Sequence, residues 1–242
     1  FLKFGLMWEE AQKLNCDYIA TGHYDQIEDG KLCRIDSPKD QTYFLYQIDK
    51  NLLDKILFPL QDYTNKEDIR SIAASIGLEI HDKKDSQDIC FIEGNDYTEY
   101  LEQNITEKPL PGNFILKDGT IIGKHKGIIY YTIGQRKGLG ISYQHPLYVT
   151  NINKQTNEIT LGTEQDLYST TIEINNINIL VDEIPEIGEA KIRYRYELTP
   201  CTIEKKDNNI LVKLETPIKG VTSGQSAVFY IDDVVIGGGI IK

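Results

Sequence analysis

Cys90 stands in the run Asp85-Ser86-Gln87-Asp88-Ile89-Cys90-Phe91, downstream of Lys83-Lys84, where a polar stretch enters an apolar one. Cationic neighbours lower a thiol pKa from its usual value near ~8.5 and raise the thiolate fraction, while Asp85 and Asp88 push the other way. Two readings stay open at this position: a reactive, partly exposed thiol, or a buried cysteine, the commoner fate of the residue type. Cys16 beside a strand-like segment, Cys33 within residues 32–35 and Cys201 in a β segment read as core. The four cysteines form no C-x-x-C pair and have no nearby His to complete a zinc site. That spacing argues against a structural metal and a disulfide framework, and for a reducing, cytoplasmic setting. His23 ends a strand-like segment, a place where ligand sites gather in open α/β sheets; a satisfied structural histidine fits there equally well.

A second chemical signal is a gap in the acids. From Gly119 to Asn157 there is no Asp or Glu, while Lys124, Lys126, Arg136, Lys137 and Lys154 are interleaved with Tyr130, Tyr131, Tyr143 and Tyr148. Cations neutralise phosphates, aromatic rings stack on unpaired bases, and glycines such as Gly134, Gly138 and Gly140 let backbone N–H groups come close to a ligand. A solvated loop with few acids is the alternative. The glycines of Gly134-Gln135-Arg136-Lys137-Gly138-Leu139-Gly140 match neither G-x-x-x-x-G-K-[ST] nor G-x-G-x-x-G, so no phosphate-cradling loop for ATP is visible. Further on, Lys191, Arg193, Tyr194 and Arg195 lie in a predicted strand over residues 190–196. A period of two would put Lys191, Arg193 and Arg195 on one face, as a binding stripe or a charged edge.

The elements that must position these groups change along the chain. Phe1, Phe4, Met7, Trp8, Ala11 and Leu14 recur at helical spacing, Asp17-Tyr18-Ile19-Ala20-Thr21 reads as a buried strand, and Thr64 with Glu67 fits a capping box. That box opens a helix with the apolar stripe Ile69, Ile72, Ala73 and Ile76, ended by Gly77. Helix–strand alternation to about residue 92 implies an α/β layer with a parallel sheet. Past Asn104, short β-branched runs dominate: 114–116 and 120–122 around Lys117-Asp118-Gly119, then 147–152, 158–161, 190–196, 210–214, 227–231 and 234–236. Strands at that spacing without helices suggest small barrels or sandwiches, with a break near residues 163–170. In all, 242 residues with 40% hydrophobic and 26% charged side chains are ordinary globular composition, and no apolar run approaches ~18 residues. The net charge of −11 would by itself discourage a nucleic-acid partner, but charge acts locally. The chain opens on Phe1-Leu2-Lys3-Phe4, already inside the first helix and without a capping residue, so the natural polypeptide is expected to begin earlier.

Six ordered blocks occur together: Ala20-Thr21-Gly22-His23-Tyr24, Lys39-Asp40-Gln41-Thr42-Tyr43-Phe44-Leu45, Leu57-Phe58-Pro59-Leu60, residues 85–92, Tyr131 through Gly140, and Gly224-Gln225-Ser226-Ala227-Val228-Phe229-Tyr230. With them the chain closely resembles the bacterial tRNA-specific 2-thiouridylases, which thiolate the wobble uridine of tRNA. The resemblance implies an α/β remnant of an ATP-pyrophosphatase (adenine-nucleotide hydrolase-like) domain over 1–92, a small β-rich central domain over 93–165, and a C-terminal β-barrel over 166–242. It implies that Cys90 carries a persulfide, that Gly22 contacts ATP, and that His23 lies near the tRNA. It further implies tRNA contacts from Lys39, Asp40 and Gln41, from Arg193, Tyr194, Arg195 and Gln225, and from Arg136 and Lys137 in the basic stretch.

The implied chemistry uses ATP and Mg²⁺ to adenylate the uracil C2 oxygen, with AMP as leaving group and pyrophosphate as by-product. Sulfur then passes from Cys90, and a second cysteine forms a disulfide with it that thiol exchange resets. The family's S-G-G-V-D-S phosphate loop and that second cysteine precede the helix that opens this chain, so these residues alone are expected to bind ATP poorly and not to turn over. The implied partners are a tRNA with a wobble uridine and a sulfur donor, either a cysteine desulfurase or a sulfur-relay protein, with no membrane. Two other readings stay open: a non-catalytic RNA-binding module, and another ATP-pyrophosphatase acting on a small amino acid.

Overall fold

A computed structural model describes residues 2–63, 65–79, 97–105 and 108–242. Cys90 and Thr64 lie outside the described residues. The chain divides into two compact units, Phe1–Asp82 with Thr170–Pro217 and Val221–Lys242, and Lys83–Ser169 with Ile218–Gly220. None of the described helices is long and apolar enough to cross a membrane.

The N-terminal part of the first unit starts with a π-helical turn, Leu2–Leu6, that runs into α1 (Met7–Lys13). Phe4 and Ala11 of the expected stripe are buried and Met7 and Trp8 partly so, but Leu14 is exposed beyond the helix end. Next come β1 (Ile19–Ala20), β2 (Gln26–Glu28), β3 (Lys31–Cys33), α2 (Thr42–Leu45), β4 (Ile56–Leu57) and α3 (Lys66–Ser75). β1 and β4 pair in parallel, as the α/β reading expects, with Ile19 opposite Ile56. The β2–β3 hairpin turns through Asp29 and Gly30, both at positive φ, the geometry that matches the twist of paired strands.

The cap of α3 is Asn65, whose side-chain oxygen accepts the Asp68 N–H at 2.9 Å, which corrects the expected Thr64–Glu67 box. Gly77 ends the helix as expected. At φ +77° it lets its own N–H reach Ala74 O and the Leu78 N–H reach Ala73 O, the paired bonds of a Schellman motif. Ile72 and Ile76 of the expected stripe are exposed.

The second unit contains α4 (Tyr97–Asn104), β5 (Gly112–Leu116), β6 (Ile121–His125), β7 (Tyr148–Asn153) and β8 (Glu158–Gly162). Its sheet order is β6-β5-β8-β7, with only β5–β8 parallel. The expected hairpin at 114–122 is β5–β6, turning at Lys117-Asp118-Gly119 with Gly119 at φ +86°. Phe114, Val149, Ile159 and Leu161 have no exposed surface and form the centre of this unit.

Beyond β8, Asp166 ties down a short turn. Its Oδ2 accepts from the Thr163 N–H at 2.7 Å and the Thr163 hydroxyl at 2.9 Å, and its Oδ1 accepts from Lys117 Nζ at 2.6 Å. These bonds, Lys117 first, hold the Asp166 carboxyl below the usual range. A depressed carboxylate contributes stability above its unfolded pKa and loses it as pH falls through the folded value. Asp166→Ala is therefore expected to cost about 1–2 kcal/mol at neutral pH, with the difference closing below about pH 3–4. Urea denaturation at the two pH values measures it.

The remaining strands belong to a closed barrel: β9 (Tyr168–Ile179), β10 (Ile187–Lys191), β11 (Thr199–Lys206), β12 (Asn209–Lys219), β13 (Ser226–Ile231) and β14 (Val234–Ile241). The order β13-β10-β11-β12-β9-β14 returns to β13, which makes a six-stranded ring without free edges inside it. β3 adds to the outside of β14 at Cys33–Val234. Leu32, Tyr46 and Leu53 share one buried cluster with Leu180, Val228, Tyr230 and Val235, so the N-terminal α/β segment and the barrel have a common core. Gly238 makes this possible: a Cβ there would lie 2.5 Å from Ala227 O and 2.8 Å from Tyr46 Cδ2, so any side chain would push the Tyr46 ring off the barrel.

Candidate nucleic-acid interface

The predicted strand at 190–196 ends early. β10 stops at Lys191, and residues beyond it turn, with the Tyr196 N–H donating to Arg193 O. The expected period-two face of Lys191, Arg193 and Arg195 is therefore not formed. Instead, Arg193 folds onto the start of β13: its Nε–H donates to Gln225 Oε1 and its Nη2 to Thr222 Oγ1, both at 2.9 Å. The two fixed bonds of the guanidinium make Arg193 and Gln225 a brace for the loop that carries Tyr194 and exposed Arg195. The Tyr194 ring lies 4.8 Å from that of Phe44, which is 58% exposed. Phe44 was not singled out from sequence, although an aromatic ring beside Lys39-Asp40-Gln41 is the type of group that stacks on a base.

Lys191 connects this loop to the Lys39–Gln41 segment, with its Nζ 4.0 Å from Asp40 Oδ2 and 5.8 Å from the Tyr194 ring centre. Lys39 and Gln41 are half-buried, and Asp40 is buried. Asp40 Oδ1 accepts from the Thr42 hydroxyl at 2.8 Å; the Tyr230 hydroxyl lies 3.2 Å from that same Thr42 oxygen. The Gln41 N–H donates to Asp25 Oδ1 at 2.7 Å, and Asp25 is fully buried. Burial first, and nearby Asp40 as well, push the Asp25 carboxyl up to about 7. No local pattern marks Asp25, a lone acid between a Tyr and a Gln.

Gly22 and His23 follow β1. A Cβ at Gly22 would meet Leu60 Cδ1 at 3.7 Å, an ordinary contact, so packing leaves room for a side chain there. His23 is buried, with its Nδ1 2.8 Å from Thr21 Oγ1, Lys3 Nζ 3.5 Å from its Nε2, and its ring against Phe4 and Phe58. Burial and then the Lys3 charge lower its pKa and favour the neutral imidazole. Among the described residues, no three His, Cys, Asp or Glu side chains gather to hold a metal ion. Mg²⁺ that travels with a nucleotide takes most of its ligands from phosphates and water, and the described residues add no carboxylate cluster of their own to hold it.

In the second unit, residues 134–147 form a loop pinned at both ends. The Gly134 N–H donates to Val149 O at 2.8 Å, Gln135 bridges the Thr132 N–H and Lys137 O, and Leu139 and Leu147 are buried in the core. Gly134, Gly138 and Gly140 all take positive φ, which explains three glycines in seven residues. The loop encloses a cleft of about 660 Å³ lined by Arg136, Leu139, Tyr143 and His145 among others. Arg136 and Lys137 are exposed at its start, and Tyr143 meets His145 edge-to-face at 5.1 Å. The other tyrosines of the acid-free stretch are less available: Tyr131 is core, and Tyr130 donates to Glu102 and lies under Lys126.

Of the described cysteines, Cys33 and Cys201 are buried as expected, while Cys16 is exposed, against expectation, because it lies in the turn past Asn15 that closes α1, with its N–H bonded to Ala11 O. Burial pushes the Cys201 thiol up to about 12, so it stays protonated and inert.

Comparison with known proteins matches three consecutive segments to family models. Residues 1–94 match a tRNA methyl transferase HUP domain, 98–163 a tRNA methyl transferase PRC-barrel domain, and 169–241 an aminomethyltransferase beta-barrel domain. Among curated relatives, the tRNA-specific 2-thiouridylase MnmA of Clostridium perfringens is 45% identical over 251 aligned residues, covering all of this chain and 70% of the relative. The proteins of the same name from Clostridium beijerinckii and Lachnoclostridium phytofermentans are each 43% identical, with the same coverage.

Proposed function

The chain belongs to the tRNA-specific 2-thiouridylase family, and from that premise we propose that it replaces the C2 oxygen of a wobble uridine in tRNA with sulfur. The observation that carries this reading is 45% identity along the entire chain to a relative of that name. The family models speak of methyl and aminomethyl transfer; each covers one segment, whereas the relatives span all of them, and the proposal follows the relatives. The segments 1–92, 93–165 and 166–242 would act as the nucleotide, central and barrel parts of one cytoplasmic enzyme.

In this reading ATP is a co-substrate: the uracil C2 oxygen takes its α-phosphate, pyrophosphate departs, and C2 acquires AMP as a good leaving group. Cys90 carries the incoming sulfur as a persulfide, received from a cysteine desulfurase or a sulfur-relay protein. Attack of the terminal sulfur on C2 expels AMP. A second cysteine then attacks the Cys90 sulfur, which leaves the thione on the base and a disulfide on the protein for an external thiol to reduce. The target base must leave its stack to be reached, which suits basic, aromatic surfaces such as Lys191, Tyr194, Arg195 and Phe44 in one unit and Arg136, Lys137 and Tyr143 in the other.

The test supplies the natural full-length polypeptide with ATP, a wobble-uridine tRNA transcript, cysteine and a cysteine desulfurase, and reads 2-thiouridine by nucleoside mass spectrometry. The expected result is ATP-dependent product with matching AMP and pyrophosphate. Tight tRNA binding without product, where the C. perfringens relative thiolates the same transcript, would leave a binding module instead.

A further inference from the structure

The Lys39–Gln41 segment is held from beneath by a carboxyl pair. Asp25 has no exposed surface, and its Oδ1 accepts the Gln41 N–H at 2.7 Å. Among the described residues its Oδ2 is buried without a hydrogen-bond partner, and the neighbouring Asp40 carboxyl acts on Asp25 through both its charge and a side-chain hydrogen bond. The other groups around the pair are few. Lys191 of β10 stands 4.0 Å from Asp40 Oδ2, the Thr42 hydroxyl donates to Asp40 Oδ1, Tyr230 of β13 bonds that hydroxyl, and Arg34 after β3 lies over the Tyr230 ring. One cation at 4.0 Å from one oxygen does not offset two ionised carboxylates in a buried site, whereas a single proton between them gives the orphaned oxygen its donor.

We propose that Asp25 and Asp40 share one proton in a carboxyl–carboxylate hydrogen bond, and that this bond positions the Lys39–Gln41 segment for contact with RNA. The inference rests on the reading that this segment faces tRNA. Asp25 is then a positioning residue: it touches no substrate, but fixes the backbone at Gln41 and the side chain of Asp40 together. The raised Asp25 pKa agrees with the geometry and sets the sign. Below neutrality the pair holds its proton and the segment is fixed. As pH rises past about 7 the proton is lost, the two charges repel, and negative charge builds beneath the RNA-facing loop.

The experiment uses the natural full-length polypeptide and a tRNA transcript as probe. Carbon-13 NMR of the aspartate carboxyls should show one that titrates near neutrality in wild type and is lost in Asp25→Asn and Asp25→Ala. The tRNA Kd, followed by fluorescence anisotropy between about pH 5.5 and 8.5, should rise with pH in wild type. Asp25→Asn, whose amide donates to Asp40 and whose oxygen still accepts from Gln41, should bind with nearly wild-type affinity and a flat pH profile. Asp25→Ala should bind about tenfold more weakly. If the alanine variant fails to fold, the flattened profile of the asparagine variant decides the question. A missing near-neutral titration overturns the shared proton. A clear titration with unaltered tRNA affinity and pH profile in the variants overturns the positioning. Unchanged affinity in Lys39→Ala overturns RNA contact by the segment, while the titration still reports independently on the pair.

Discussion

Cys90→Ser is expected to abolish 2-thiouridine formation, by more than ~10³-fold, while leaving tRNA affinity intact. A serine hydroxyl cannot hold sulfane sulfur, so the substitution removes the carrier itself rather than one contact to it, and covalent catalysis has no residual route through that position. The other described cysteines set the contrast. Cys33 and Cys201 are buried with thiols pushed upward, Cys201 to about 12, and a protonated, enclosed thiol neither accepts nor passes sulfur. Cys16 is exposed and sits past the end of α1, away from any block shared with the thiolases, so Cys16→Ser should thiolate as wild type does. Nucleoside mass spectrometry with a persulfide donor checks both variants. Full product from Cys90→Ser would move the sulfur carrier elsewhere and leave Cys90 a packing residue.

How far the sequence revealed these sites depended on what held each residue. The β5–β6 hairpin was legible because Phe114-Ile115-Leu116, a Gly turn and Thr120-Ile121-Ile122 are all local signals. The β1–β4 parallel pair was legible in the alternation of helix and strand. Residues 190–196 read as a continuous strand because nothing local shows that Arg193 bonds Gln225 and Thr222, some thirty residues away, in preference to standing on a strand face. The twelve-residue strand β9 was hidden by its polar run Glu173 to Asn178, which alternates only weakly. Leu14 and, in the stripe of α3, Ile72 and Ile76 are exposed although their spacing is helical, since periodicity gives a face but not what covers it. Asp25 was invisible for the same reason in reverse. A lone acid is normally solvated, and only the fold brings it beneath Gln41 and beside Asp40.

Reversing both charges at Arg136 and Lys137 to glutamate should weaken tRNA binding about a hundredfold at low salt and flatten the salt dependence by roughly 1.5–2 in slope, the loss of about two phosphate contacts. The fold has no stake in either side chain: both are exposed, and the loop is pinned by Gly134, Gln135, Leu139 and Leu147, with only the backbone carbonyl of Lys137 taking part. Glu164 lies near enough to Arg136 to have its carboxyl lowered, after Lys219 as the main cause, so a glutamate at 136 would add local repulsion. Arg136→Ala with Lys137→Ala separates that effect, because it should flatten the slope equally with a smaller loss of affinity. The net charge of −11 sharpens the expectation. At low salt the protein as a whole repels RNA, so association depends on local positive regions, and the acid-free stretch from Gly119 to Asn157 is the longest of these. Unchanged affinity together with unchanged slope would put this loop outside the interface and leave tRNA recognition to Lys191, Tyr194, Arg195 and the Lys39–Gln41 segment.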